Sequence, residues 1–386
     1  MEASRTVWHG LAAQFKALAP RLHGHQATTL GLWVLGALLA GSVRIPAVAE
    51  ALLLQGVTPV RLPSIERRLT RWLRNPRLDV AALWQACLPS LLRGWRQAGR
   101  PARLVLDATP LADRAVVLWV GVWLHGRVLP LAWEVLPGQR AWEERQWDVV
   151  ARLFAQVRPH LAGMVTTLLA DRGLVGHPLV ALCVRQGWHY VLRLEGQHCC
   201  QPQPPHAAHT RRAAHRQWVR VDTLVAPGQD WYGPVRLWKK TAPVAGFLSA
   251  CWDPTAAQPW FCFSDRPAQP RRLREYADRC AVEATFQDAK SRGWQVEDLP
   301  IVALDRLTRL LYILALTLWL ALHYAATCLH HGRRASLDRH DRRDKGLLRL
   351  GRLWFCRCLR HLPCARLRIM LPFRHTPTGW RLSLRF

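Results

Sequence analysis

Acidic residues are scarce in this chain: 26 Asp and Glu stand against 54 Lys and Arg in 386 residues, giving a formal charge of +28. The sequence pI is about 11.2. Such an excess goes far beyond what solubility requires and points to a polyanion as partner. A secreted cationic protein or a membrane-surface binder would share the charge, but a basic chain of this size with 20 Trp is expected to bind nucleic acid. A repeating cysteine framework is also lacking. Eleven Cys are scattered along the chain, which excludes a disulfide scaffold and predicts reduced thiols in a cytoplasm. The densest cluster, "CRCLRHLPC" with Cys356, Cys358, His361 and Cys364, has shorter spacings than zinc sites use, so no zinc is expected. No apolar core follows the charges of the N-terminal stretch, so no secretory signal is expected.

Long hydrophobic runs are few. "TLGLWVLGALLAG" (29 to 41) is too short to span a bilayer. "LLYILALTLWLALHYAATCL" (310 to 329) is long enough, but Asp305, Arg306 and Arg309 precede it and His323 interrupts it. Both read as buried helices, and no membrane partner is expected. Half of the residues are hydrophobic, which excludes a disordered chain and allows a full core, divided by length into two or three domains.

Residues 1–100 read as a helical DNA-binding domain. "RIPAVAEALLLQG", the breaker "VTPVRLP" and "SIERRLTRWLRNP" form a helix, a turn and a basic helix capped by Ser64, with Arg67, Arg68, Arg71 and Arg74 on its surface. That order suits a module that presents its second helix to a duplex, although ordinary bundles use it as well. From residue 101 the periodicity changes. "RLVLDATP" reads as a strand ending at Asp107, followed by a hairpin from "AVVLWVGVWL" and "VLPLAWEVLPG". A helix from about Glu143 to His160, the strand "MVTTLLADRG" ending at Asp171, the helix "HPLVALCVRQG" and the strand "WHYVLRLEG" complete an α/β order with a mixed sheet. Residues 197–258 read as a β-rich insertion, with strand-like pieces at "WVRVDTLV", "VRLWKKT" and "FLSACW". The domain resumes at 259–330 with the strand "PWFCFSD" and one long helix, behind which the apolar helix of residues 301 to 329 is expected to pack, and 331–386 form a basic C-terminal region.

The long helix after "PWFCFSD" contains "YADRCAVEATFQDAK" (276 to 290). At about 100° per residue, Arg279, Glu283 and Lys290 fall at roughly −60°, −20° and −40° from Tyr276, a single narrow stripe. Such a stripe serves either a solvated ion-pair ladder or one wall of a site for phosphates and metal ions. Asp107 and Asp171 stand at strand ends, where open α/β sheets collect functional groups, although Asp is also a common turn residue. Three carboxylates meeting at one point repel unless cations separate them. Mg2+, with Mn2+ as a substitute, is the expected occupant, because it takes a few carboxylates and keeps oxygens of water and phosphate. Two such ions suit in-line cleavage and joining of phosphodiesters. Arg279 and Lys290 would then hold phosphates, and the Tyr276 hydroxyl would donate to a phosphate oxygen.

Tyr276, Arg279, Glu283 and Lys290, spaced Y-(2)-R-(3)-E-(6)-K, together with "LVLDATPL" and "LLADRG", resemble the bacterial insertion-sequence transposases of the "IS-four" group, over roughly residues 102 to 325. The resemblance implies a ribonuclease-H-like catalytic core with a β-rich insertion and a DDE triad of Asp107, Asp171 and Glu283. It also implies double-stranded DNA as partner, at the element's terminal inverted repeats and at the target, and a homodimer in the DNA complex. The implied location is a bacterial cytoplasm, in association with the nucleoid. The implied reaction is cut-and-paste transposition through a hairpin. Trp260, opening "PWFCFSD", holds the place of a family Trp that stacks on a flipped base; an ordinary strand aromatic is the alternative. A simple two-metal nuclease and a transposase-derived DNA-binding protein that no longer cuts are the competing functional readings.

Overall fold

The computed structural model describes residues 2–111, 114–124, 126–138, 145–203, 217–289, 294–295, 303–339, 341 and 345–361. Five helices come first: α1 (Glu2–Leu18), α2 (Gly24–Ala40), α3 (Ile45–Leu54), α4 (Leu62–Leu73) and α5 (Val80–Gln97). The basic helix α4 begins two residues before Ser64. Arg61 is its N-cap and Pro63 lies in its first turn, where a fixed φ and a missing N–H are tolerated at no cost. Ser64 is therefore inside the helix rather than its cap.

A ten-stranded mixed sheet follows, ordered β3-β2-β1-β4-β5-β10-β9-β8-β6-β7. β1 (Ala102–Leu111), β2 (Ala115–Leu124) and β3 (Arg127–Pro137) form an antiparallel meander. β4 (Thr166–Ala170) and β5 (His189–Arg193) extend it in parallel from β1. These strands are almost uniformly apolar because helices cover both of their faces. Arg152 of α6 (Gln146–Val157) pairs with Glu134 on one face, while the neighbouring Trp133 faces α9 and α10 on the other. The expected helix up to His160 ends as α6 at Val157, and a 3-10 turn, Arg158–Leu161, follows. α7 (His177–Gln186) connects β4 and β5.

The expected insertion is β-rich, and it joins the sheet itself. β6 (Cys199–Pro202), β7 (Val219–Arg220), β8 (Asp230–Leu237) and β9 (Val244–Cys251) continue from β10 (Trp260–Ser264) in one ladder. "WVRVDTLV" gives only the two residues of β7 before turning into a 3-10 helix, Val221–Leu224.

Two further expected boundaries change. β1 continues through Asp107 to Leu111, because β2 still pairs with it as far as Leu111↔Ala115. Its parallel pairing with β4, however, ends at Leu106↔Ala170, so Asp107 and Asp171 are the next residues on adjacent strands. Pro110 is tolerated in β1 because it lies beyond that parallel ladder. The expected single long helix is broken into α8 (Pro270–Ala277), a 3-10 turn (Asp278–Cys280) and α9 (Ala281–Ala289). An ion pair from Arg103 of β1 to Asp278 holds that turn on the sheet.

α10 (Leu304–His330) is long and apolar enough to cross a membrane, yet 78% of its most apolar window is buried within the protein. It packs on β3, α2 and α5, which is the setting of a core helix. Its buried Arg309 donates to the Leu73 carbonyl at the end of α4, at 2.9 Å, where a helix leaves carbonyls unpaired and favours a cation. α11 (Leu347–His361) closes on α10 so tightly that a Cβ on Gly351 would lie 1.7 Å from the Ala321 carbonyl oxygen. One continuous apolar core therefore joins the N-terminal helices, the sheet and the C-terminal helices.

Candidate active site

Asp107, Arg103 and Thr109 alternate onto one face of β1, and the α8–turn–α9 segment crosses that face. Because the turn is tighter than an α-helix, the stripe is not straight, but three of its four residues still converge on the aspartates. Arg279 Nη2 lies 3.2 Å from Asp107 Oδ2 and 3.2 Å from Asp171 Oδ2. Its Nη1 donates to Glu283 Oε1 at 3.1 Å. One guanidinium thus touches carboxylates from three separate segments. Lys290 lies outside the described residues.

The remaining bonds fix the aspartates. Asp107 Oδ1 accepts the Ala108 amide at 2.9 Å. Asp171 Oδ1 accepts the Arg172 amide at 2.8 Å and the Tyr276 hydroxyl at 3.0 Å. The Tyr276 ring is buried, so its hydroxyl orients Asp171 in this structure, whereas the sequence suggested a phosphate partner. Burial pushes the Asp107 carboxyl up in spite of Arg279. Burial acts the same way on Asp171, but Arg279, the Arg172 amide and Tyr276 together hold that carboxyl below its ordinary value. Burial alone would weaken the charge on Arg279; Asp107 and Asp171 reverse this and hold its pKa above the usual value.

Trp260, the first residue of β10, packs edge-on against Tyr276 with centroids 5.4 Å apart. Arg193, the last residue of β5, lies 5.5 Å over the Trp260 ring and lowers the Asp171 carboxyl further. Arg193 escaped the sequence reading. The strand-end rule that singled out Asp171 marks it equally well, since it closes the next parallel strand. Arg172, beside Asp171, donates to Gln258 at 3.2 Å and adds a second cation at this rim.

Arg67, Arg68 and Arg71 are not part of this cluster. With His25, Gln26, Thr29 and Ser64 they line a groove of about 620 Å³ between α2 and α4. Arg68 is engaged internally: its Nε donates to Thr29 Oγ1 at 2.9 Å and its guanidinium lies 5.7 Å over Trp8. Arg67 and Arg71 are exposed.

Among the described residues, no group of three His, Cys, Asp or Glu side chains is arranged to hold a metal ion, because the guanidinium stands between the three acids. The donors nevertheless fit a hard divalent ion: all are carboxylates, and all are aimed at one cationic point. Of the four Cys and His positions of the C-terminal cluster, the side chains of Cys356 and Cys358 are described, both free; the His361 side chain and Cys364 lie outside the described residues.

Fold and site together define a mixed α/β protein with a carboxylate and arginine cluster where the parallel pairing of β1 and β4 ends. Comparisons with models of known protein families and with curated proteins return no match.

Proposed function

We propose that the chain is a DDE transposase, which cleaves and joins DNA strands at the ends of an insertion sequence with Mg2+. The observation that carries this reading is the convergence of Asp107, Asp171 and Glu283 on one guanidinium, in a chain with a formal charge of +28. A structural ion pair needs one acid, whereas three around one arginine, two beside the end of a parallel strand pairing and one on a helix, suit the donors of a two-ion phosphoryl-transfer site. The antiparallel meander joined to a parallel pair supports a ribonuclease-H-like core.

Asp107, Asp171 and Glu283 would hold the ions, which supply activation of the attacking oxygen and stabilisation of the leaving one. Tyr276 keeps Asp171 in one rotamer through its hydroxyl. Arg193 and Arg172 offer cations to the phosphates flanking the scissile bond, a contact that aligns the strand and offsets its charge. The Trp260 ring would receive a base that leaves the stack. Arg67 and Arg71 supply contacts to the duplex away from the chemistry, and the acting form on DNA is a homodimer working in the bacterial cytoplasm.

The test is incubation of the purified chain with DNA carrying the element's ends, with and without Mg2+, resolved on a gel that separates nicked, hairpinned and joined strands. Products of all three kinds, dependent on Mg2+, are expected. Binding without any Mg2+-dependent cleavage would leave a DNA-binding protein, and cleavage without joining would leave a nuclease.

A further inference from the structure

We infer that Arg279 is a displaceable internal cation: its guanidinium holds the place of the divalent ions in the free protein and must leave before they bind, so that metal affinity is low until DNA draws the arginine onto a phosphate. This rests on the metal-site reading given above. The same nitrogen, Nη2, lies 3.2 Å from one oxygen of Asp107 and 3.2 Å from one oxygen of Asp171. A magnesium ion ligating both oxygens at about 2.0–2.1 Å would draw on the same two oxygens and stand within roughly 5 Å of that nitrogen, cation beside cation. The two occupants therefore compete for the pair of oxygens.

Two further observations make the arginine poised to leave. Its Nε is buried without a hydrogen-bond partner among the described residues, so its present seat leaves one donor of a desolvated guanidinium unsatisfied there. The third acid, Glu283, has a side chain 63% exposed. The Arg279–Glu283 edge is thus the open side of the cluster, where the guanidinium can turn toward solvent or a phosphate while remaining on its own turn. Without the arginine, three neighbouring carboxylates would repel one another. The guanidinium preserves their convergence until the ions arrive.

Linkage makes the consequence reciprocal: if DNA removes the competitor, DNA raises metal affinity and metal raises DNA affinity by the same factor. The experiment titrates Mn2+ into the full chain and follows the electron paramagnetic resonance signal of free Mn2+. It compares wild type with Arg279→Ala and Arg279→Gln, with and without a short DNA duplex whose own Mn2+ binding is subtracted. Without DNA, wild type should bind Mn2+ about tenfold or more weakly than the variants, within the range of coupling that linked sites show. Duplex should raise wild-type affinity to the variants' level and leave the variants little changed. Equal Mn2+ affinity of wild type and variants without DNA overturns the displacement and leaves the metal site standing. No Mn2+ binding by folded variants, with or without DNA, overturns the displacement and the metal-site reading together. Should Arg279→Ala fail to fold, Arg279→Gln takes its place. The wild-type comparison also decides by itself, because Mn2+ bound as tightly without DNA as with it sinks the inference.

Discussion

The Tyr276 hydroxyl donates to Asp171 Oδ1 at 3.0 Å, joining residues 105 positions apart. The ring that carries this hydroxyl is also the surface on which Trp260 rests. One tyrosine therefore sets both the carboxylate and the aromatic wall of the site. Tyr276→Phe keeps the wall and removes the bond, which at a charged acceptor is worth about 1.5–3 kcal/mol. The expected result is a lower melting temperature without metal and slower cleavage with metal, while the ratio of hairpinned to nicked product, which reads the Trp260 wall, stays close to wild type. A large change in that ratio would mean that the hydroxyl also holds the wall.

Asp107→Ala, Asp171→Ala and Glu283→Ala should each abolish cleavage and leave DNA binding nearly intact. Ion ligation is all-or-none for the chemistry, whereas affinity comes mainly from Lys and Arg contacts to phosphates. Full cleavage by any one of the three in a Mg2+ assay would remove that residue from the site.

Trp260→Ala separates the steps of the reaction. The first nick needs the acids and an attacking water, but a hairpin requires terminal bases to leave the stack, at a few kcal/mol that an aromatic face partly recovers. Nicked DNA should accumulate in a time course. Equal slowing of both steps would show that Trp260 acts by packing on Tyr276.

The α4 arginines should divide into two kinds. Arg67→Ala and Arg71→Ala should each weaken DNA binding and reduce the slope of log affinity against log salt by about one. Arg68→Ala loses its bond to Thr29 and its stack on Trp8 and should chiefly lower the melting temperature. If Arg68→Ala reduced the salt slope as much as the other two, its internal engagement would not survive on DNA.

The two aspartates should respond oppositely to pH in metal-free protein. Asp171 is held below its ordinary value, so its stabilising contribution is present above an unfolded pKa of about 3.9 and is lost as pH falls through the lower folded value. Asp107 is raised by burial, so its contribution is lost as pH rises through its folded value. Relative to wild type, Asp171→Asn should therefore lose its disadvantage below about pH 4, and Asp107→Asn should gain stability as pH rises from there. Melting curves of both variants across pH check this; parallel trends would contradict the opposed environments.

The sequence by itself determined the elements whose signals are local. The hairpin β2–β3, the strand before Asp171 and the apolar α10 follow from runs of β-branched or apolar residues between breakers, because such a run must be buried whatever its partners are. The narrow spacing of Tyr276, Arg279 and Glu283 also marked the segment that meets the two aspartates. What it could not determine was set by partners distant in the chain. β1 passes through Asp107 because β2 pairs with it further than β4 does. The helix bearing the stripe breaks at Asp278, which pairs with Arg103 across 175 residues. Ser64 lost the cap to a helix start that Pro63 favours. Arg68 was a surface charge by helical spacing until Thr29 and Trp8 closed over it. Above all, periodicity could align Arg279 with Glu283, but only the packing of that turn against two adjacent strand ends put its guanidinium between all three acids. A helical repeat fixes directions within one element, whereas the distance between charges on different elements is decided by how their apolar faces pack.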